Sequence, residues 1–319
     1  MSIPRLPVPW RTPVATAQPN LVEVAHYTDA ACPWAYNFEP TLRALEARYG
    51  DQLNVRTVMI GLSESYEDYV ARGYSAEGAS LSRRRFRRRG MPMATFPRTR
   101  PMGTGPACRL VKAAEQQGVP QAEALLRTLR FGWFTTDLVM DEPDTLRAVA
   151  ESVDGLDAER ALADARTPEV EEAYQRDRAE ARSPERFAVK LGRTAASDGP
   201  DRYTAPSLVL RAEGRELIAP GYQPFEAVDV LVMNLVPQAE RLPVPSLASL
   251  LSAYPGGLTT AEVARVLADT TDEPDLAEAE DALIRLSVEG GARRQALGDR
   301  KSTRLNSSHY QPSRMPSSA

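Results

Sequence analysis

Cys32 stands where an apolar, strand-like run, Leu21 to Tyr27, gives way to a helix opening in Asp29-Ala-Ala-Cys-Pro-Trp-Ala-Tyr36. A thiol in the first turn of a helix faces unpaired backbone N–H groups and the positive end of the helix dipole, and both favour the thiolate. Cys32 is therefore expected to titrate below the ordinary thiol value of about 8.5 and to act as a nucleophile. Pro33 suits the first helical position, where its missing N–H costs nothing. Ala35 fills the place at which a second cysteine would complete a Cys-x-x-Cys pair, so the site is monothiol. One thiol can open a disulfide by forming a mixed disulfide, but the thiol that resolves it must then come from outside. Cys108, the other cysteine, sits in an apolar helical pattern and reads as a core residue ahead of a resolving partner. Asp29 is a candidate helix cap or proton acceptor. Pro33, Trp34 and Tyr36 are candidates for substrate contact, whereas His26, inside the apolar strand, reads as a core group.

The elements that must hold this thiol follow from periodicity. Val22, Val24 and His26 alternate, a helix carrying Leu42 and Leu45 comes next, and a second strand runs from Leu53 to Ile60, which is a βαβ opening. Far downstream, Tyr203-Thr-Ala-Pro-Ser-Leu-Val-Leu210 puts Pro206 at the start of an apolar strand, a place open to a residue that cannot donate to a ladder. A turn at Ala212-Glu213-Gly214-Arg215 leads into Glu216 to Ala219 and a helix from Gln223 to Leu235. This order, with Asp-x-x-Cys-Pro-Trp and Thr-Ala-Pro-Ser, resembles the thioredoxin fold. A gap of 174 positions separates Cys32 from Pro206 and holds five helical patterns, at residues 105–114, 121–134, 143–153, 157–165 and 168–181. A helical domain inserted at about residues 65–195 resembles the DsbA family, in the branch that includes cytosolic dithiol-disulfide isomerases and 2-hydroxychromene-2-carboxylate isomerase.

The resemblance implies an α/β thioredoxin-like fold over residues 21–240. It implies a cis peptide before Pro206, facing Cys32, and substrate pairing along the Thr204 to Ala205 backbone. It further implies no bound cofactor or metal, with a low-molecular-weight thiol as co-substrate. The activity it implies is thiol-disulfide oxidoreductase or isomerase chemistry through Cys32, a small-molecule isomerase or thiol-conjugating transferase being the alternative. Thiol- or disulfide-bearing substrates and a small cytosolic thiol are the partners expected; membrane and nucleic acid are not.

Hydrophobic residues make up 42% of the 319-residue chain and charged residues 26%, with a net charge of −4, which is ordinary for a globular protein without an obligate polyanion partner. Residues 1–20 are Pro-rich and lack the apolar stretch of a signal peptide, so a flexible N-terminus and a cytoplasmic location are expected. Arg83-Arg-Arg-Phe-Arg-Arg-Arg89 reads as a solvated helix with Phe86 anchored inward. After the linker Leu242-Pro-Val-Pro-Ser246, residues 241–298 resemble a winged-helix domain: a helix capped by Thr259 or Thr260, another over Asp275 to Glu289, and a wing starting at Arg293-Arg294. Such a unit would suit a redox-responsive regulator that binds DNA or a partner, but its carboxylates outnumber its arginines, a poor match to a phosphate-tracking face. Residues 299–319 match the translation of a sequencing adapter, and a disordered tail without function is expected there.

Overall fold

The computed structural model describes residues 3–94, 97–269, 272–297 and 308–312. A short β1 (Leu6–Pro7) precedes β2 (Val22–Thr28), α1 (Pro33–Asn37), α2 (Glu39–Tyr49) and β3 (Leu53–Met59). The helical insertion follows as α3 (Tyr66–Ala71), α4 (Ala76–Phe86), α5 (Gly105–Glu115), α6 (Val119–Thr135) and α7 (Pro143–Glu151), then β4 (Val153–Asp154), α8 (Ala158–Asp164), α9 (Pro168–Ala181) and α10 (Arg186–Lys190). The chain returns through β5 (Thr194–Ala195), β6 (Arg202–Tyr203), β7 (Ser207–Ala212), β8 (Arg215–Ala219) and α11 (Phe225–Leu235). It ends in α12 (Leu247–Ala253), β9 (Leu258–Thr259), α13 (Thr260–Leu267), α14 (Leu276–Val288), β10 (Ala292–Ala296) and β11 (Ser308–Pro312).

The main sheet has the order β3-β2-β7-β8, with β2 parallel to β3 and antiparallel to β7. Flanked on both sides, β2 is buried at every position but Glu23, and His26 and Thr28 are buried along with its apolar residues, so the strand does not alternate cleanly between a buried and an exposed face. The β7–β8 hairpin turns at Glu213 (φ 51°) and Gly214 (φ 73°). Two successive left-handed residues match the twist of the flanking strands, which explains the glycine there.

One helix was expected after Cys32 and two are found. Pro40 lies in the first turn of α2 and has no N–H to continue the ladder, so the chain breaks at Phe38.

The N-terminal segment, expected to be flexible, is instead packed from Leu6 to Trp10. Leu6 and Val8 donate backbone hydrogen bonds to Ser152 and Asp154, and both Leu6 and Trp10 are buried. The Arg43 and Arg127 guanidiniums lie 4.7 and 4.4 Å from the Trp10 ring centroid. Proline-rich composition hides this because the anchors come from distant parts of the chain.

The C-terminal elements also depart from a unit hung on a linker. Thr259 caps α13 in a capping box, its hydroxyl accepting from the Glu262 N–H and its own N–H donating to Glu262 Oε2 at 2.7 Å. The same buried carboxylate accepts from Arg127 Nη1 and Nη2 on α6, at 2.7 and 2.8 Å. Burial alone would raise the Glu262 carboxyl, yet the Arg127 charge holds it down to about 2. The three-stranded sheet runs β10-β11-β9. β11 lies inside the segment expected to be disordered: it pairs with β10 and β9, and Tyr310 is buried. The rest of that segment, residues 299–307 and 313–319, lies outside the described residues. A strand edge offers hydrogen bonds to any extended segment with an apolar side chain on the correct face, and Tyr310 supplies one.

Candidate active site

Cys32 is the N-cap of α1, extended at φ −76° and ψ 116°, with Pro33 just inside the helix. Its position is fixed from below. Asp29, fully buried, accepts from the Ala31 N–H (2.9 Å) and from the Leu62 N–H (3.0 Å), and Arg130 on α6 donates to the Asp29 backbone oxygen at 3.3 Å. Asp29 thus ties the turn before the helix to the loop after β3. It caps no helix, contrary to the capping role foreseen for it: α1 has no side-chain cap, and both Asp29 bonds go to amides outside the helix.

The Cys32 sulfur donates to the backbone oxygen of Ala205 at 3.2 Å. The Ala205–Pro206 peptide is cis, and it brings this carbonyl across the sheet to the thiol. A depressed thiol was expected and the opposite is found. Burial pushes Cys32 up to about 11 from its usual 9.0, outweighing the Ala35 and Trp34 amides that pull it down, while Asp29 adds to the rise. The helix start does what dipole reasoning says, but the thiol of a cysteine only 6% exposed has lost more in hydration than two amides return.

A cavity of about 400 Å³ opens over the sulfur. Cys32, Pro33, Trp34, Thr204 and Ala205 line it, so five of the seven residues expected to form the site meet there. Pro206 does not line it; its part is to place the Ala205 carbonyl. Tyr36 is a correction. It is buried in the core, stacked on Phe134 at 4.4 Å between centroids, and its hydroxyl donates to the Pro92 oxygen at 2.8 Å. Two positions beyond Trp34 on one helix turns a side chain roughly 200° away, so Trp34 and Tyr36 cannot both face the cavity. Trp34, 40% exposed, meets Phe86 edge-on at 4.9 Å, and the Arg89 guanidinium covers it at 4.5 Å and Tyr222 at 4.7 Å.

The arginine run therefore has a structure that its composition hid. Arg84, Arg85, Arg88 and Arg89 are exposed, as a solvated face should be, while Arg83 is buried against Trp133 and lines the cavity together with Phe86. Tyr69, Tyr74, Met102, Trp133 and Arg202 are further wall residues without a local sequence signal, since they come from the insertion and the strand before Pro206. Cys108 is fully buried on α5 with its sulfur 3.8 Å from Asp29 Oδ2, and burial pushes it well above an ordinary thiol. Both cysteines are free. Among the described residues no cluster of His, Cys, Asp and Glu could hold a metal ion, and no helix is long and apolar enough to cross a membrane.

Comparison with known proteins agrees with this geometry. A family model of the DSBA-like thioredoxin domain matches residues 23–185. The ClpXP adapter protein SpxH of Shouchella clausii (strain KSM-K16) is 26% identical over 268 residues, 80% of each chain. Among solved structures, a candidate protein disulfide isomerase from Nitrosomonas europaea aligns at a TM-score of 0.51 and 15% identity, covering 68% of this chain and 98% of its own. A probable DsbA oxidoreductase from Streptomyces coelicolor aligns at 0.50 and 23% identity, covering 71% and 94%.

Proposed function

The chain belongs to the DSBA-like thioredoxin domain family, and from that premise we propose that it carries out thiol-disulfide exchange through the single thiol of Cys32. The observation that carries this reading is the contact of the Cys32 sulfur with the Ala205 oxygen, 3.2 Å apart at the wall of an open cavity of about 400 Å³. In the step we infer, the Cys32 thiolate attacks one sulfur of a substrate disulfide; a new S–S bond forms, the old one breaks, and the other substrate sulfur leaves as a thiolate. A small external thiol then attacks the mixed disulfide as its thiolate, forming a disulfide with the substrate sulfur and freeing Cys32. Electrons balance within each exchange, so the protein needs no redox cofactor. The amides of Trp34 and Ala35 stabilise the sulfur as it gains charge, and the Thr204 to Ala205 backbone supplies polar groups beside the incoming chain. The test is intact-mass analysis after exposure to oxidised glutathione. One adduct is expected in wild type and in Cys108→Ser, removed by added thiol, and none in Cys32→Ser. An adduct that survives in Cys32→Ser defeats the reading.

A second reading concerns partners. The 268-residue match to the ClpXP adapter protein is longer than the family domain, so it draws on elements outside residues 23–185. We infer from this span that the chain also docks a protein, with Cys32 as the centre that reports or adjusts redox state. Co-elution with purified ClpX on gel filtration, present for the full chain and absent when the proteins are run separately, tests it. The helix, strand, helix, helix, hairpin order of residues 247–312 supports a winged-helix assignment, but Glu278, Glu280 and Asp281 on α14 oppose nucleic-acid docking.

A further inference from the structure

α10 and the turn that follows it put large apolar side chains and cations side by side in solvent. Phe187, Val189 and Leu191 are 54%, 48% and 50% exposed, and Arg186, Lys190 and Arg193 are exposed among them. Of the five residues of the helix only Ala188 is buried, in the same apolar cluster as Cys32, Tyr203 and Ala205. Single exposed apolar residues are ordinary on a protein surface, but three within five positions form a patch. Among the described residues no carboxylate pairs with the three cations: Asp198 is held by Arg178 and Arg182, and Asp201 accepts from Thr194. Glu185 is the one acid within residues 185–193. The segment is tied down at both ends. The Glu185 N–H donates to the Tyr203 hydroxyl at 3.0 Å, and the Arg193 oxygen accepts from Thr204 Oγ1 at 3.3 Å. Gly192, left-handed at φ 61°, ends the helix: its N–H donates to the Val189 oxygen and the Arg193 N–H to the Ala188 oxygen, both at 2.9 Å. The chain then reaches Ala195, which lines the Cys32 cavity together with Thr204 and Ala205. A surface held in this way loses little conformational freedom when a partner covers it.

We propose that α10 is a docking surface for a segment of a partner protein whose large apolar residues are flanked by aspartates or glutamates, and that it brings this partner to the mouth of the Cys32 cavity. The inference rests on the reading that Cys32 exchanges disulfides, and it deepens that reading by naming the partner: an acidic, apolar stretch of polypeptide rather than a small disulfide alone. Phe187 and Leu191, four positions apart, are neighbours with Lys190 beside them, so apolar and charged contacts are made together. The apolar side chains supply the area to be buried, and the three cations disfavour segments that bring lysines or arginines of their own. A lipid surface fits less well: five helical residues are too few to lie along an interface, and the chain is acidic overall.

Fluorescence anisotropy of the full chain tests the proposal with a fluorescein-labelled peptide, Glu-Phe-Leu-Glu-Asp-Leu-Phe-Glu, and with its neutral counterpart in which Gln and Asn replace Glu and Asp. The acidic peptide is expected to bind about tenfold more tightly than the neutral one, the yield of three exposed ion pairs. It should lose that advantage as the ionic strength rises from about 0.05 to about 0.5 M. Arg186→Gln, Lys190→Gln and Arg193→Gln combined should abolish the preference and keep the neutral affinity, whereas Phe187→Ser with Leu191→Ser should weaken both peptides at least about tenfold. Thermal melting reads whether each variant folds; should the triple variant fail to, Lys190→Glu alone decides by the same ratio. Equal affinities in wild type, an undiminished preference in the variant, or no binding of either peptide overturns the proposal. Tighter binding to phosphatidylglycerol vesicles than to the acidic peptide also overturns it, as does a salt-sensitive dimer in sedimentation velocity that the same variant abolishes, because the surface would then serve a lipid or a second copy. The peptides carry no cysteine, so failure here is separate from failure of the exchange chemistry, which the adduct measurement reads.

Discussion

Alkylation of Cys32 should accelerate steadily as the pH rises, without the plateau near neutrality that a helix-start thiolate would show. With the thiol pushed up to about 11 by burial, the thiolate fraction at pH 7 is about 10⁻⁴, against about 10⁻² for an ordinary value of 9.0. The substrate-free protein should therefore react with iodoacetamide roughly a hundredfold more slowly at pH 7 than a model thiol. The rate should climb about tenfold per pH unit up to pH 10. Stability changes in the same window. Between pH 9 and 11 the folded chain keeps a proton on Cys32 that the unfolded chain has lost, so the contribution is complete below the unfolded value. It falls as pH rises through the folded one, by about 3 kcal/mol in all. The assay is the pH-rate profile from 6 to 10.5 in a Cys108→Ser background, followed by intact mass. Urea unfolding of that background with and without Cys32→Ser, from pH 8 to 11, isolates the Cys32 share from the tyrosines. Asp29→Asn, by removing a like charge, should move the profile to lower pH. A rate already level at pH 7 to 8 would refute the argument, because the Trp34 and Ala35 amides would then outweigh burial.

Glu262→Gln leaves Arg127 buried without its partner and should lower stability by about 3 to 5 kcal/mol in urea unfolding, whereas Arg127→Met with Glu262→Met should recover much of it. In wild type the Glu262 contribution is present above the unfolded carboxyl value of 4.5 and is lost as pH falls toward about 2, which acid titration of the melting temperature checks. Deleting residues 299–319 removes the buried Tyr310 and the β11 ladder and should lower the melting temperature in scanning fluorimetry; an unchanged value would restore the disordered tail that the adapter-like sequence predicts. Tyr36→Phe should cost about 1 kcal/mol through its lost bond to Pro92, while Trp34→Ala, at an exposed rim, should change stability by less and slow mixed-disulfide formation instead.

The βαβ opening, the placement of Cys32 at the helix start, the position of Pro206 and the helical insertion were legible because each is written locally. A period of two or 3.6, a proline before a strand and a Cys-Pro helix start need no knowledge of distant residues. Hydration is not local. That Cys32 is buried, and so raised rather than depressed, follows from walls built by α4, by Met102 ahead of α5, by Trp133 on α6 and by the strand before Pro206, none of which signals its position to residue 32. The same reason sends Tyr36 into the core while Trp34 stays at the rim, and singles out Arg83 from six arginines of one run. It also explains why Leu6 and Trp10 are anchored under a proline-rich composition, and why residues 247–312 are fastened to α6 by the Arg127–Glu262 pair although a linker precedes them. Which side chains lose their water depends on the sum of contacts across the whole chain, and only the tertiary structure decides that sum.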